Sequence, residues 1–131
     1  VLGKYEKFAT ELFGFDKYDY VAYNKLAQLE FVYVTDTYVD ESSLAARVFN
    51  KQYLRKNKAF PSYYATRGFD VTYDVIMRLA SGKNLYETFK DGVSYRVESK
   101  FNFNKRLFGI SQNSGLFLLE FQPDLSLKRI E

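Results

Sequence analysis

The pattern of apolar and polar positions divides this chain into an alternating strand–helix half and a closing part that repeats at period two. "FATELF" (8–13) reads as a short strand ending at Gly14, with the polar turn "GFDKYD" behind it. Residues 21–29 read as a short helix with Leu26 and Leu29 inward. "FVYVTDTYV" (31–39) is rich in β-branched and aromatic residues and predicts a strand. Asp40, Ser42 or Ser43 can cap the next helix, whose predicted buried face is Ala45, Val48, Phe49 and Tyr53. Lys51, Arg55, Lys56 and Lys58 crowd its C-terminal end, where cations suit the helix dipole.

The segment "FPSYYATRGFDVTYDVIMRLASG" (60–82) predicts the longest helix, begun after Pro61 and stopped at Gly82. Phe69, Tyr73, Ile76, Met77 and Ala80 fall at i, i+4, i+7, i+8 and i+11, one face of a 3.6-residue period. That face, with Phe49, is expected to be buried on the strand at 31–39, so Ile76→Ala should cost about 2–5 kcal/mol. A short helix at 85–90 ends at Gly92. "VSYRV", "KFNFN", "LFGIS" and "GLFLLEF" then alternate as strands around the turn "QNSG". The expected class is α/β: an open, mostly parallel Rossmann-like sheet with flanking helices, right-handed crossovers and an antiparallel C-terminal tail.

Composition narrows the chemistry. The 131 residues fit one globular unit able to bury a core, and 47% apolar content argues against disorder. Thirteen Phe and twelve Tyr accompany no Trp and one Met, a load that suits packing more than catalysis. Nineteen basic against sixteen acidic residues leave a charge of +3, too balanced to point to nucleic acid. Cys and His are both absent, which excludes disulfides, thiol nucleophiles, zinc centres and a Ser-His-Asp triad. No metal and no cofactor is expected. No run approaches a membrane span, and a chain without Cys suits an oxidising envelope compartment.

Four stretches, in order, resemble the C-terminal part of type I periplasmic solute-binding proteins of the branched-chain amino-acid receptor kind. They are "LFGFDKYD" (12–19), "FVYVTDTYVDESSLAARVFNKQYLRKNKAFP" (31–61), "YYATRGFDVTYDVIMRLASG" (63–82) and "GVSYRVESKFNFNKRLFGISQNSGLFLLEFQPDLSL" (92–127). The wording "SYYATRGFDVTYDV" is similar to a Bacteroidetes-type sub-group in which such a domain follows LysM cell-wall-binding modules. The resemblance implies a fragment of a two-lobe protein, with a second-lobe part at about 1–38 and a first-lobe part with closing strands at about 39–131. The interlobe crossing would fall near residues 37–40. It further implies an extracytoplasmic, periplasmic location and substrate-binding work of the ABC-transporter kind. The partners would be a small polar solute, the missing N-terminal part, and cell-wall or envelope proteins. Uncovered sheet edges and apolar faces of a fragment would also favour self-association.

Asp16 follows Gly14 in the turn where the resemblance places an acid against a ligand ammonium, with Tyr18, Tyr20 and Tyr38 as cleft walls. A carboxylate at the C-terminal edge of a strand suits the ligand crevice of an open α/β sheet. Gly68 is expected to let its helix approach neighbouring backbone, and Asp70 to take a helix-end or backbone hydrogen bond. Asp70 and Asp74, at i and i+4, could form an acid/base pair or grip a cation; the alternative is a scaffold Asp70 beside a surface Asp74, either neutralised by Arg67. Three functions compete: a solute receptor, a receptor-like interaction domain without ligand, and a carboxylate hydrolase. With no recognisable nucleophile or base, the expectation is that the chain is not an enzyme.

Overall fold

Ten elements form along the computed structural model, which describes residues 13–14, 22–82, 84–103 and 111–130. In chain order they are β1 (Phe13–Gly14), α1 (Tyr23–Gln28), β2 (Val32–Thr35), α2 (Leu44–Asn57), α3 (Tyr63–Ser81), a 3-10 helix (Tyr86–Asp91), β3 (Ser94–Tyr95), β4 (Lys100–Phe101), β5 (Phe117–Phe121) and β6 (Leu127–Arg129). Two compact units result: Val1–Thr35 with Phe117–Glu131, and Asp36–Leu116.

The first unit is built on a four-stranded sheet of order β1-β2-β5-β6. β5 has the period-two pattern of a half-buried strand, with Phe117, Leu119 and Phe121 inward. Val32 and Tyr33 of β2 are buried with them, beside Phe31 and the α1 residues Leu26 and Ala27. Tyr33 lies 5.6 Å from the Phe121 ring and Tyr23 lies 5.3 Å from it, so aromatic packing closes this core. A turn across residues 122–126 joins β5 to β6. Its Asp124 carboxylate accepts the Ser126 N–H at 2.9 Å.

The class is α/β, but the expected open, mostly parallel Rossmann-like sheet is not what forms. Among the described residues, parallel pairing is confined to Phe13↔Val32 and Gly14↔Tyr33, whereas β2–β5 and β5–β6 are antiparallel. A parallel sheet needs each crossover helix to deliver the next strand to it. Here α2 and α3 lead instead to the two-residue strands β3 and β4, which pair with each other. β5 then takes the place beside β2 in the opposite direction.

In the second unit, α2 starts at Ser43, one of its three candidate caps, and α3 starts after Pro61 as expected, with Ser62, which the sequence reading did not name, as its cap. Ser43 Oγ accepts the Ala46 N–H at 3.2 Å to start α2, and Ser62 Oγ accepts the Ala65 N–H at 3.3 Å to start α3. Gly82 stops α3, and Gly92, at φ 88°, takes the left-handed turn out of the 3-10 helix. The buried face of α2 is Ala46 and Phe49, packed with Val97, Val39 and Tyr53. Ala45 and Val48, expected inside, are exposed, so the helix is rotated from the predicted face.

α3 departs furthest. The buried residues are Thr66, Asp70, Asp74 and Arg78, at i, i+4, i+8 and i+12. Tyr73, Ile76 and Met77, expected in the core, are 42%, 56% and 45% exposed. The large cost expected for Ile76→Ala does not fit this placement. Hydrogen-bond demand explains the choice of face. The 92–99 segment beneath α3 carries backbone N–H groups that the short β3–β4 ladder leaves unpaired, and a buried amide must find an acceptor. The polar stripe supplies it.

Candidate functional site

Asp70 is fully buried and accepts three consecutive backbone N–H groups, from Val97 at 3.0 Å, Glu98 at 2.8 Å and Ser99 at 2.9 Å. One side chain thereby fixes the tip of the β3–β4 hairpin. One turn on, Asp74 is also buried and is not the surface residue that the sequence suggested. Its Oδ2 accepts Arg78 Nε at 2.7 Å, and its Oδ1 accepts Arg96 Nη2 at 2.8 Å and the Ser94 hydroxyl. Burial pushes the Asp74 carboxyl up, but the bonds from Ser94, Arg78 and Arg96 outweigh it and hold the group below the usual carboxylate range.

Arg78 completes the stripe. It is a buried guanidinium whose remaining N–H groups donate to the Thr88 carbonyl at 2.9 Å, the Gly92 carbonyl at 3.3 Å and Ser94 Oγ at 3.2 Å. Its face lies 5.3 Å from the Phe103 ring. Arg67, expected to neutralise Asp70 or Asp74, pairs with Asp36 instead and donates to Ser99 Oγ at 3.0 Å. Glu98 is buried beside this cluster, with Oε1 unpartnered among the described residues. Burial raises its carboxyl above the ordinary range; Arg67 opposes the shift, and Asp70 and Asp36 add to it.

A groove opens between the two helices, beside the buried Phe49 and the β3–β4 hairpin. Leu44, Val48 and Phe49 of α2 and Phe69 and Tyr73 of α3 wall it, with Tyr95 of β3. Gln52 and Arg96 add polar atoms, and the volume is 560 Å³. The rings are ordered: Phe49 and Phe69 lie 4.6 Å apart, Phe69 stacks on Tyr73 at 5.5 Å, and the Arg96 guanidinium sits 5.1 Å over Tyr73. Volume and lining both match those of ligand- or side-chain-accepting clefts.

Of the residues expected to bind a ligand, Asp16, Tyr18 and Tyr20 lie outside the described residues. Tyr38 is half-buried beside the hairpin, where its N–H donates to the Glu98 carbonyl at 2.9 Å. Gly68 is exposed, and a Cβ there would meet nothing within 4 Å, so close backbone approach is not its reason. That role belongs to Gly115, where a Cβ would fall 2.1 Å from the Lys100 carbonyl oxygen. Among the described residues no group of three or more acidic, His or Cys side chains is placed to hold a metal ion. No helix among them is long and apolar enough to cross a membrane. Comparison with family models, curated proteins and solved structures returns no match.

Sequence reasoning missed Arg78, Arg96, Glu98 and the groove. A signal for the first was present: Thr66, Asp70, Asp74 and Arg78 repeat every four residues, and polar residues in such strict register mark a face with partners.

Proposed function

We propose that this chain is a non-catalytic binding module of the cell envelope that engages a partner through the aromatic groove between α2 and α3. One observation carries the reading: α3 buries its hydrogen-bonding stripe and presents its apolar stripe outward. Apolar patches of this kind on a folded surface mark interaction sites. Non-catalytic status is supported by the carboxylates themselves. The oxygens of Asp70 and Asp74 are engaged by backbone amides, guanidinium groups and Ser94, which leaves no free acid/base pair.

The extracytoplasmic location rests on the resemblance to periplasmic solute-binding proteins, and a chain without Cys is compatible with it. In the complete two-lobe receptor which that resemblance implies, Asp16, Tyr18, Tyr20 and Tyr38 would face an amino-acid-like solute. The groove is built from other residues and favours the interaction form of the reading, a receptor-like domain that docks on envelope components.

Titration with Nile red, a neutral apolar dye, tests whether the groove is open. The wild-type chain should enhance and blue-shift its emission, and Val48→Asp, at an exposed position, should abolish the effect while circular dichroism stays unchanged. Emission that is insensitive to Val48→Asp would remove the groove as the binding surface.

A further inference from the structure

The charge around the groove says what it accepts. α2 carries Arg47, Lys51, Arg55 and Lys56, with Lys58 at its C-cap, and not one acidic residue. All five cations are exposed, and none forms an ion pair among the described residues. Their spacing ties them to the groove. Arg55 is seven residues on from Val48 and Lys56 seven on from Phe49, so both continue the groove's own helix faces. Arg47 and Lys51 follow Leu44 at i+3 and i+7, along its outer wall. On α3, the only two acids, Asp70 and Asp74, are buried. The nearest exposed carboxylates along the chain are Asp40 and Glu41, before the start of α2. Asp40 is engaged by the Ser42 N–H at 2.9 Å and by the Ser42 hydroxyl.

From this, and resting on the groove being the binding surface, we infer that the occupant is an acidic amphipathic polypeptide segment. Its apolar side chains fill the groove between Val48, Phe69 and Tyr73, and its carboxylates lie along Lys51, Arg55 and Lys56. Apolar anchors in a concave site with a charged rim are the recurring form of helix-in-groove recognition. The rim charges set which partners approach and in which direction, with the acidic end toward the C-terminus of α2. Two other occupants fit less well. A second copy of the chain would bring an identical cationic α2 to the same rim. An anionic bilayer is flat and would leave a 560 Å³ concavity unfilled.

The test uses a fluorescein-labelled peptide of Leu and Glu at helical spacing and its Lys-for-Glu counterpart, read by anisotropy. The Glu peptide should bind the wild-type chain about tenfold more tightly than the Lys peptide, and the difference should shrink as salt is raised. The pair Lys51→Glu and Arg55→Glu should reverse the preference. Arg47→Glu with Lys51→Glu provides a second variant away from the helix C-terminus, and circular dichroism checks both for folding. Equal binding of the two peptides, or a preference that the variants leave intact, overturns the inference. So does tight binding to vesicles of equimolar phosphatidylglycerol and phosphatidylcholine without peptide discrimination, or a concentration-dependent rise in mass by light scattering that Val48→Asp removes. Failure of the Nile red experiment would remove the groove itself. Dye binding without peptide discrimination would remove only the acidic partner.

Discussion

The two units of this chain have interiors built by opposite means. In the first, Phe117, Leu119 and Phe121 of β5 turn inward as period-two patterning requires, and Phe31, Val32 and Tyr33 are buried in the same apolar interior. In the second, the long helix α3 turns Thr66, Asp70, Asp74 and Arg78 inward and leaves Phe69, Tyr73, Ile76 and Met77 outside. The difference traces to backbone supply. In the first unit β2–β5 and β5–β6 pair over four and three residues and β1–β2 over two, whereas β3 and β4 pair over two and leave the N–H groups of residues 97–99 without a ladder partner. An interior that must satisfy stranded amides selects polar side chains, and the apolar face becomes available for something else.

The largest effect expected from breaking this contrast is at Asp74. Truncation to Ala would leave the buried Arg78 and the half-buried Arg96 without their shared carboxylate, and removing one partner of a buried ion pair costs about 3–5 kcal/mol. Hydrogen exchange should show the loss concentrated in the second unit. A protected second unit in Asp74→Ala would mean that the polar stripe does not hold it.

The matching change in the first unit is Leu119→Ala. Leu119 is 1% exposed, and truncation of such a residue costs about 2–5 kcal/mol through lost transfer energy and the cavity left behind. Exchange protection of β2 and β5 should fall, with amides at 97–99 affected least. Uniform loss across both units would show that they unfold as one.

Glu98 gives the contrast a pH signature. Burial raises its folded carboxyl above the ordinary value, against Arg67 and with Asp70 and Asp36. A raised acid contributes stability below its unfolded value that is lost as pH rises through the folded one. Asp74 has the opposite sign: its lowered carboxyl contributes stability above the unfolded value that is lost as pH falls through the folded one. Glu98→Gln should therefore raise the melting temperature at pH 7 and lose its advantage in acid. An unchanged difference from pH 7 down to the carboxylate range would count against a buried, ionising Glu98.

What the sequence made legible follows the same division. Capping by Ser43, the start of the long helix after Pro61, the stops at Gly82 and Gly92, and the inward residues of the closing strand are local signals and could be read directly. The face of α3 could not, because two stripes share that helix and only the amides of residues 97–99 decide between them. Those partners lie 27 to 29 residues away in the chain. The groove was hidden for the same reason: it exists only once the apolar stripe is outside.

The smallest expected effect sits on the exposed side of that helix. Gly68 was expected to serve close packing, yet it faces open space inside α3 with no residue waiting for the gap. Glycine in a helix interior is less favourable than alanine by about 0.5–1 kcal/mol, chiefly through the freedom it retains in the unfolded chain. Gly68→Ala should therefore stabilise the second unit by about that amount, since the added methyl meets no neighbour. The gain should appear in exchange at the backbone of α3 and leave β2 and β5 unmoved. A loss of stability on adding one methyl group would mean that this face of α3 is covered in solution, and that the outward side of the helix is already in use.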